Sequence, residues 1–182
     1  MDVGKCMKKI AQFEKVSFEI YKEAMEKEFE YNEESLRQFY EFLSLPTRAT
    51  IGSAGYDFKL PFTIELKPNE TKKIPTGIRV KMADGWVLLL FPRSSLGFKY
   101  RMGLDNTIGV IDSDYYYSDN EGHIILKITN NSNESKTMTV EANKGICQGI
   151  FFEFGITIDD NQTNTRNGGF GSTNQNRIRY EN

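Results

Sequence analysis

Apolar and charged positions follow two different rhythms on either side of Pro46. Ahead of it, Ile10, Phe13 and Val16 sit among charged neighbours, and the stretch from about Lys8 to Val16 reads as a strand. From Ser17 the spacing changes: Phe18, Tyr21, Met25 and Phe29 recur at helical intervals, with Glu and Lys on the other face. A second helix starts at Asn32, a good N-cap, with Glu33 and Glu34 in its first turn. Leu36, Phe39, Tyr40 and Leu43 form its apolar stripe, and Pro46 stops it. Both stripes suit packing onto the rest of the chain better than they suit a partner.

After Pro46 short apolar segments alternate with turn signals at Pro61, Pro68-Asn69, Gly77, Asp84-Gly85, Asn130-Asn131 and Asn143-Lys144-Gly145. Trp86 to Phe91 is apolar without a break, which predicts a strand buried on both faces. Many short, regularly spaced strands indicate a mainly β sandwich or barrel. From Asp159 onward the chain is polar and rich in Gly and Asn, the composition of a flexible arm. The expected division is therefore a strand and helical extension over 1–45, a β domain over 46–158 and a C-terminal arm over 159–182.

Composition narrows the function classes. A net charge of −2 over 182 residues gives no basic stripe for nucleic acid. The sequence has neither a long apolar run for a membrane span nor a charged-then-apolar leader. Cys6 and Cys147 lack zinc-like spacing and suggest no disulfide framework, so a reducing cytoplasm is the expected setting. His123 is the single histidine, which rules out a multi-histidine metal site within one chain and points to a carboxylate for any general base. Thirteen Phe and nine Tyr supply apolar surface for contacts within and between subunits.

Two segments have the residue types for chemistry. In Gly109-Val110-Ile111-Asp112-Ser113-Asp114-Tyr115, a strand ending in a turn puts Val110 and Asp112 on one side and Ile111 on the other. Asp112 would then stand at a pocket mouth, able to orient and deprotonate a water, with the Tyr115 ring as a wall. Pro92-Arg93-Ser94-Ser95-Leu96-Gly97 supplies a guanidinium, two hydroxyls and backbone N–H groups to an anion. Taken alone, the first also reads as a polar hairpin turn and the second as a strand end with a tight turn.

Company decides between these readings. Ser53-Ala54-Gly55-Tyr56-Asp57, the Arg93 and Asp112 segments, Gly145-Ile146-Cys147-Gln148, and Gly168-Gly169-Phe170-Gly171-Ser172-Thr173 fall in one order. Together, from about Leu45 to Asn174, they resemble the five motifs of the trimeric dUTP diphosphatase (dUTPase) family. That resemblance implies a distorted jelly roll of the β-clip type and a homotrimer with sites shared between subunits. It also implies Mg²⁺-dependent hydrolysis of dUTP to dUMP and pyrophosphate, which keeps uracil out of DNA and supplies a thymidylate precursor.

The same resemblance assigns roles. Arg93, Ser94 and Ser95 would grip the α- and β-phosphates. Asn106, Gly109 and Val110, on a hairpin leading into Asp112, would meet the nucleoside, and Tyr115 the deoxyribose. Asp112 would activate the water, with Gln148 helping to hold water and phosphate. Phe170 would cap the uracil, while Gly171, Ser172, Thr173 and Arg166 would reach the γ-phosphate. Mg²⁺ would ride on the three phosphates with no direct protein ligand. Asp57 would touch it through water, or simply stabilise a turn.

The chain departs from the family pattern in places. Tyr115-Tyr116-Tyr117 stands where Tyr-Arg-Gly is usual, with a few extra residues at about Tyr117 to Asn120, and Asn143-Lys144-Gly145 replaces Gly-Asp-Arg. Two rival readings share the fold: a dCTP deaminase, against which Phe170 argues, and a regulator acting through protein contacts.

Overall fold

The computed structural model describes residues 7–163. Its N-terminal strand β1 (Ala11–Lys15) pairs antiparallel with β6 (Ile78–Met82), Phe13 opposite Val80. Helix α1 (Phe18–Glu26) starts where the Ser17 side chain accepts the Ile20 N–H, and α2 (Glu33–Phe42) where Asn32 accepts the Ser35 N–H. Their apolar stripes deliver Tyr21, Met25, Leu36 and Leu43 into the same core as the strands. The fit is tight at Gly77, where a Cβ would stand 2.4 Å from Leu43 Cδ1. Phe29, Tyr31 and Phe39 close around Phe62, fixing the helices to the β region.

The remaining strands form antiparallel sheets. The largest runs β2 (Thr47–Arg48), β3 (Tyr56–Lys59), β12 (Gly145–Glu153), β7 (Trp86–Pro92), β9 (Gly109–Ile111), in that spatial order. A second joins β5 (Thr71–Pro75), β10 (Ile125–Thr129) and β8 (Gly103–Leu104), and β4 (Ile64–Leu66) pairs with β11 (Met138–Val140). Neighbours in space are mostly not neighbours in sequence, as expected of jelly-roll-like connections. Turn residues sit where the backbone needs positive φ, at Asn69, Gly77, Gly85 and Asn143.

Two expectations need correction. Trp86 to Phe91 is not buried on both faces. Leu88 and Leu90 are buried, but Val87, Leu89 and Phe91, which alternate onto the outer face of the large sheet, are only half covered. The segment leading into Asp112 is not a hairpin either: β8 belongs to the β10 sheet and β9 to the β7 sheet, so the Asp105–Ile108 loop crosses between sheets.

His123 lies inside this architecture, 1% exposed, with its Nε2 accepting the Gly77 N–H at 2.9 Å. Burial lowers its pKa from 6.5 to about 4, against a smaller upward pull from Glu121. The unfolded chain therefore binds a proton that the folded chain refuses in this window. The stability is complete above pH 6.5 and declines as the pH falls toward 4, by up to about 1.4 kcal/mol per pH unit. Denaturant titrations across this range should show that decline in the native protein and lack it in His123→Gln. Parallel pH profiles would show that another group is responsible.

Candidate active site

The outer face of the large sheet is polar at one end. Antiparallel register sets Asp57 opposite Gln148 and Gln148 opposite Phe91, so these three share a row. One residue past the end of β7, Arg93 turns its Nε to Asp57 Oδ1 at 3.3 Å. Glycines make the space: a Cβ on Gly145 would stand 2.6 Å from Arg93 Nη1, and one on Gly55 2.6 Å from Gln148 Oε1. The Gly55 loop is held by Arg48, whose Nη1 donates to the carbonyls of Ile51 and Ser53. Sequence reasoning missed this arginine; its signal is a cation just ahead of a Gly-rich loop.

Arg93-Ser94-Ser95 begins a short helix rather than a bare turn. In α3 (Ser94–Tyr100) the N–H groups of Leu96 and Gly97 both return to the Arg93 carbonyl. The Ser94 and Ser95 N–H groups ahead of them have no carbonyl in the preceding turn of the helix. Together with two exposed hydroxyls and the Arg93 guanidinium they line a cleft of about 480 Å³ with Gly55, Asp57 and Gln148. Such donors converge on an anion. Cys147, behind the cleft floor, is no nucleophile: burial, and then the Asp57 charge, push its thiol pKa up.

A second cleft of about 260 Å³ lies at the far end of the sheet and is lined by Asn106, Gly109, Val110, Ile111, Tyr115 and Lys127, among others. The loop presenting Asn106 is pinned by Asp105, whose carboxylate accepts the Thr129 hydroxyl at 2.6 Å and pairs with Lys127 at 3.0 Å. That hydrogen bond, then Lys127, hold the Asp105 carboxyl below its ordinary pKa despite some burial. Thr107 takes positive φ (65°) to complete the turn. Strand β9 forms the edge of its sheet, and Val110 is 55% exposed there. Tyr115 is buried, its hydroxyl donating to the His123 carbonyl (2.9 Å) and accepting from Asn120 Nδ2 (2.8 Å), so the ring offers carbon rather than an O–H to the cleft.

Asp112 caps the 3₁₀ turn Ser113–Tyr117 in extended backbone, directly after Ile111. Ile111 pairs with Leu88, so Asp112 lies level with Val87, six residues along the strand direction from Arg93. That separates the two by about 20 Å within one chain. The structure thus brings Asp57, Arg93, Ser94, Ser95 and Gln148 together and gathers Asn106, Gly109, Val110 and Tyr115 into the other cleft. Arg166, Phe170, Gly171, Ser172 and Thr173 lie outside the described residues.

A mainly antiparallel β fold with one cleft lined by Arg93, Ser94 and Ser95 and a second beside the edge strand defines the class, and the comparisons give the family. The dUTPase family profile matches residues 42–174. The deoxyuridine 5'-triphosphate nucleotidohydrolase of Lactococcus lactis is 41% identical over 134 residues, covering 72% of this chain and 88% of that protein. The Haemophilus influenzae enzyme of the same name is 39% identical over 135 residues, 70% of this chain and 85% of its own. The crystal structure of dUTPase from Streptococcus mutans superposes with a TM-score of 0.60 at 35% identity, covering 81% of this chain and 98% of that one. This chain belongs to the dUTPase family, a family of nucleotide hydrolases that act on dUTP. Among the described residues no helix is long and apolar enough to cross a membrane.

Gly145 offers a test of the anion cleft. Its φ is not in the left-handed region, and the three atoms nearest an alanine Cβ there all belong to the Arg93 side chain. Gly145→Ala should displace the guanidinium, weakening pyrophosphate binding by about tenfold, the lower end for a hydrogen bond to a charged group, with little change in thermal midpoint. Unaltered affinity by titration calorimetry would remove Arg93 from the anion contacts.

Proposed function

We propose that this chain converts dUTP to dUMP and pyrophosphate by water that Asp112 activates, at sites shared between the subunits of a homotrimer. The observation that carries the reading is the distance between Asp112 and Arg93. A base for the attacking water and a grip on the α- and β-phosphates must serve the same phosphorus, yet in one chain they lie at opposite ends of β7. A second subunit's phosphate cleft, set against the first subunit's Asp112 and the cleft lined by its neighbour Ile111, satisfies both.

The chemistry follows from the residues. Uracil, an acceptor-donor-acceptor edge, pairs with backbone groups of the Gly109–Val110 edge strand, beside Asn106. Cytosine has the wrong pattern and leaves buried groups unpaired, at a cost of ~1–3 kcal/mol each. The Tyr115 ring packs on the deoxyribose, where a ribose 2′-hydroxyl would meet carbon and find no partner. Asp112 takes a proton from water as its oxygen bonds to the α-phosphorus, and the bond to the bridging oxygen breaks as pyrophosphate leaves. Arg93, the Ser94 and Ser95 donors and Gln148 stabilise the charge moving onto the phosphates. Arg166, Gly171, Ser172 and Thr173 would serve the γ-phosphate and Phe170 the base, as the fifth motif implies.

Mg²⁺ neutralises phosphate oxygens when bound. Among the described residues no group of three or more His, Cys, Asp or Glu side chains converges. As the family implies, Mg²⁺ would be carried by the triphosphate, and Asp57, which lines the phosphate cleft, could reach it through water.

Asp112→Asn keeps shape and hydrogen bonding but removes the base. Its kcat should fall at least ~10²-fold while dUTP still binds. Near-normal turnover would sink the assignment. The trimer has its own test on the outer sheet face, where Leu89 stands between Val110 and Ile150, and Val87 opposite Phe152. This half-covered apolar face is what a neighbouring subunit would cover. Light scattering should give three times the 20.9 kDa chain mass, and Leu89→Asp should lower both that mass and the activity. A fully active monomer contradicts the shared site.

A further inference from the structure

A cluster of charged and aromatic side chains ties the N-terminal extension to the loop that carries Tyr115. Arg79 on β6 faces Glu14 on β1 as a cross-strand pair, with Nη2 2.9 Å from Glu14 Oε2. The same carboxylate oxygen accepts the Tyr116 hydroxyl at 2.8 Å, and the Arg79 guanidinium lies 4.5 Å from the centre of the Tyr116 ring. On its other side Arg79 Nη1 is 3.9 Å from Glu121 Oε2, and that oxygen accepts the Ser17 N–H at 2.7 Å where α1 begins. Burial raises the Glu121 pKa, but Ser17 hydrogen bonding and the Arg79 charge outweigh it, so the carboxylate stays ionised for this contact.

Tyr116 and Glu121 bracket one short loop. Glu121 (φ 57°) and Gly122 (φ 71°) turn the chain back so closely that a Cβ on Gly122 would stand 2.7 Å from Tyr116 Cα. The next residue, His123, holds the Tyr115 hydroxyl through its carbonyl. Asp112, by contrast, follows directly on the β9–β7 pairing at Ile111 and Leu88. The clamp therefore acts directly on the Tyr115 wall of the cleft, while Asp112 is set by the sheet through Ile111 and joins the same 3₁₀ turn through the Tyr115 N–H on its carbonyl.

We infer that Glu14 and Arg79 are positioning residues for substrate selection. Through Tyr116 and Glu121 they hold the Tyr115 wall, so that the N-terminal extension sets how strictly the cleft discriminates the sugar. The inference rests on reading this cleft as the deoxyuridine site.

The test is steady-state kinetics with dUTP and UTP on Glu14→Ala, Glu14→Gln, Tyr116→Phe and the Glu14→Ala/Tyr116→Phe double variant, with hydrogen exchange on the first. Glu14→Ala and Tyr116→Phe should raise KM for dUTP by about three- to tenfold, hold kcat within about twofold and lower the preference for dUTP over UTP. Glu14→Gln, which still accepts from Tyr116 and Arg79, should keep most of the native KM. The double variant should be no worse than Glu14→Ala, since both remove one interaction. Unchanged KM and selectivity in Tyr116→Phe, or effects that simply add, overturn the proposal. Amides at 115–123 should exchange faster in Glu14→Ala; unchanged exchange also overturns it, whatever the turnover. A native protein inactive on dUTP would instead refute the reading of the cleft.

Discussion

The register of β12 between β3 and β7 is the constraint on which the rest depends. It puts Asp57, Gln148 and Phe91 in one outward row and Phe58, Cys147, Leu88 and Leu90 in the core. Side chains alternate, so a slip by one residue would send Gln148 inward and bring Cys147 out, removing the cleft floor and opening the core together. The irregularity between Gly145 and Cys147 falls where the Arg93 side chain needs room beside a residue without a Cβ. Sheet pairing and the shape of this cleft are thus one arrangement, and neither can change alone.

The same antiparallel geometry divides the chemistry. Because β9 runs against β7, the chain that reaches Asp112 travels away from Arg93. The face between the two clefts carries Leu89, Ile150 and Val110 side by side across three strands, and none of the three is buried. A single feature, strand direction, accounts for both the separated residues and the surface that would bring a second subunit's residues to them. The N-terminal extension adds to this frame: β1 and α1 complete the core and also reach, through Glu14 and Ser17, the loop behind the Tyr115 cleft.

Much of this was legible in the sequence because local chemistry decided it. Ser17 and Asn32 cap the helices they announce, and the stripes that include Tyr21, Met25 and Leu36 point into the core. Asn69, Gly77, Gly85 and Asn143 mark turns whose backbone requires them. The motif segments named Asp57, Arg93, Ser94, Ser95 and Gln148 of one cleft and Asn106, Gly109, Val110 and Tyr115 of the other, while Asp112 lines neither. What stayed hidden depends on pairing between distant strands. An unbroken apolar run such as Trp86 to Phe91 looks the same whether its second face meets its own chain or a neighbouring subunit. The β8 and β9 segments read as a hairpin because their true partners, β10 and β7, are set by tertiary contacts. Arg79 gave no signal at all, since its carboxylate partners lie 65 and 42 positions away in the chain.

The measurement that tests the shared site most directly is subunit mixing. Asp112→Asn and Arg93→Ala chains, each assayed alone for dUTP hydrolysis, should both be nearly inactive. Unfolded together in equal amounts and refolded, they should assemble hybrids in which roughly a quarter of the sites draw an intact Asp112 from one chain and an intact Arg93 from its neighbour. Activity near a quarter of the native level is the predicted result. A mixture no more active than its components, with hybrids present by mass, would mean that each chain builds its site alone.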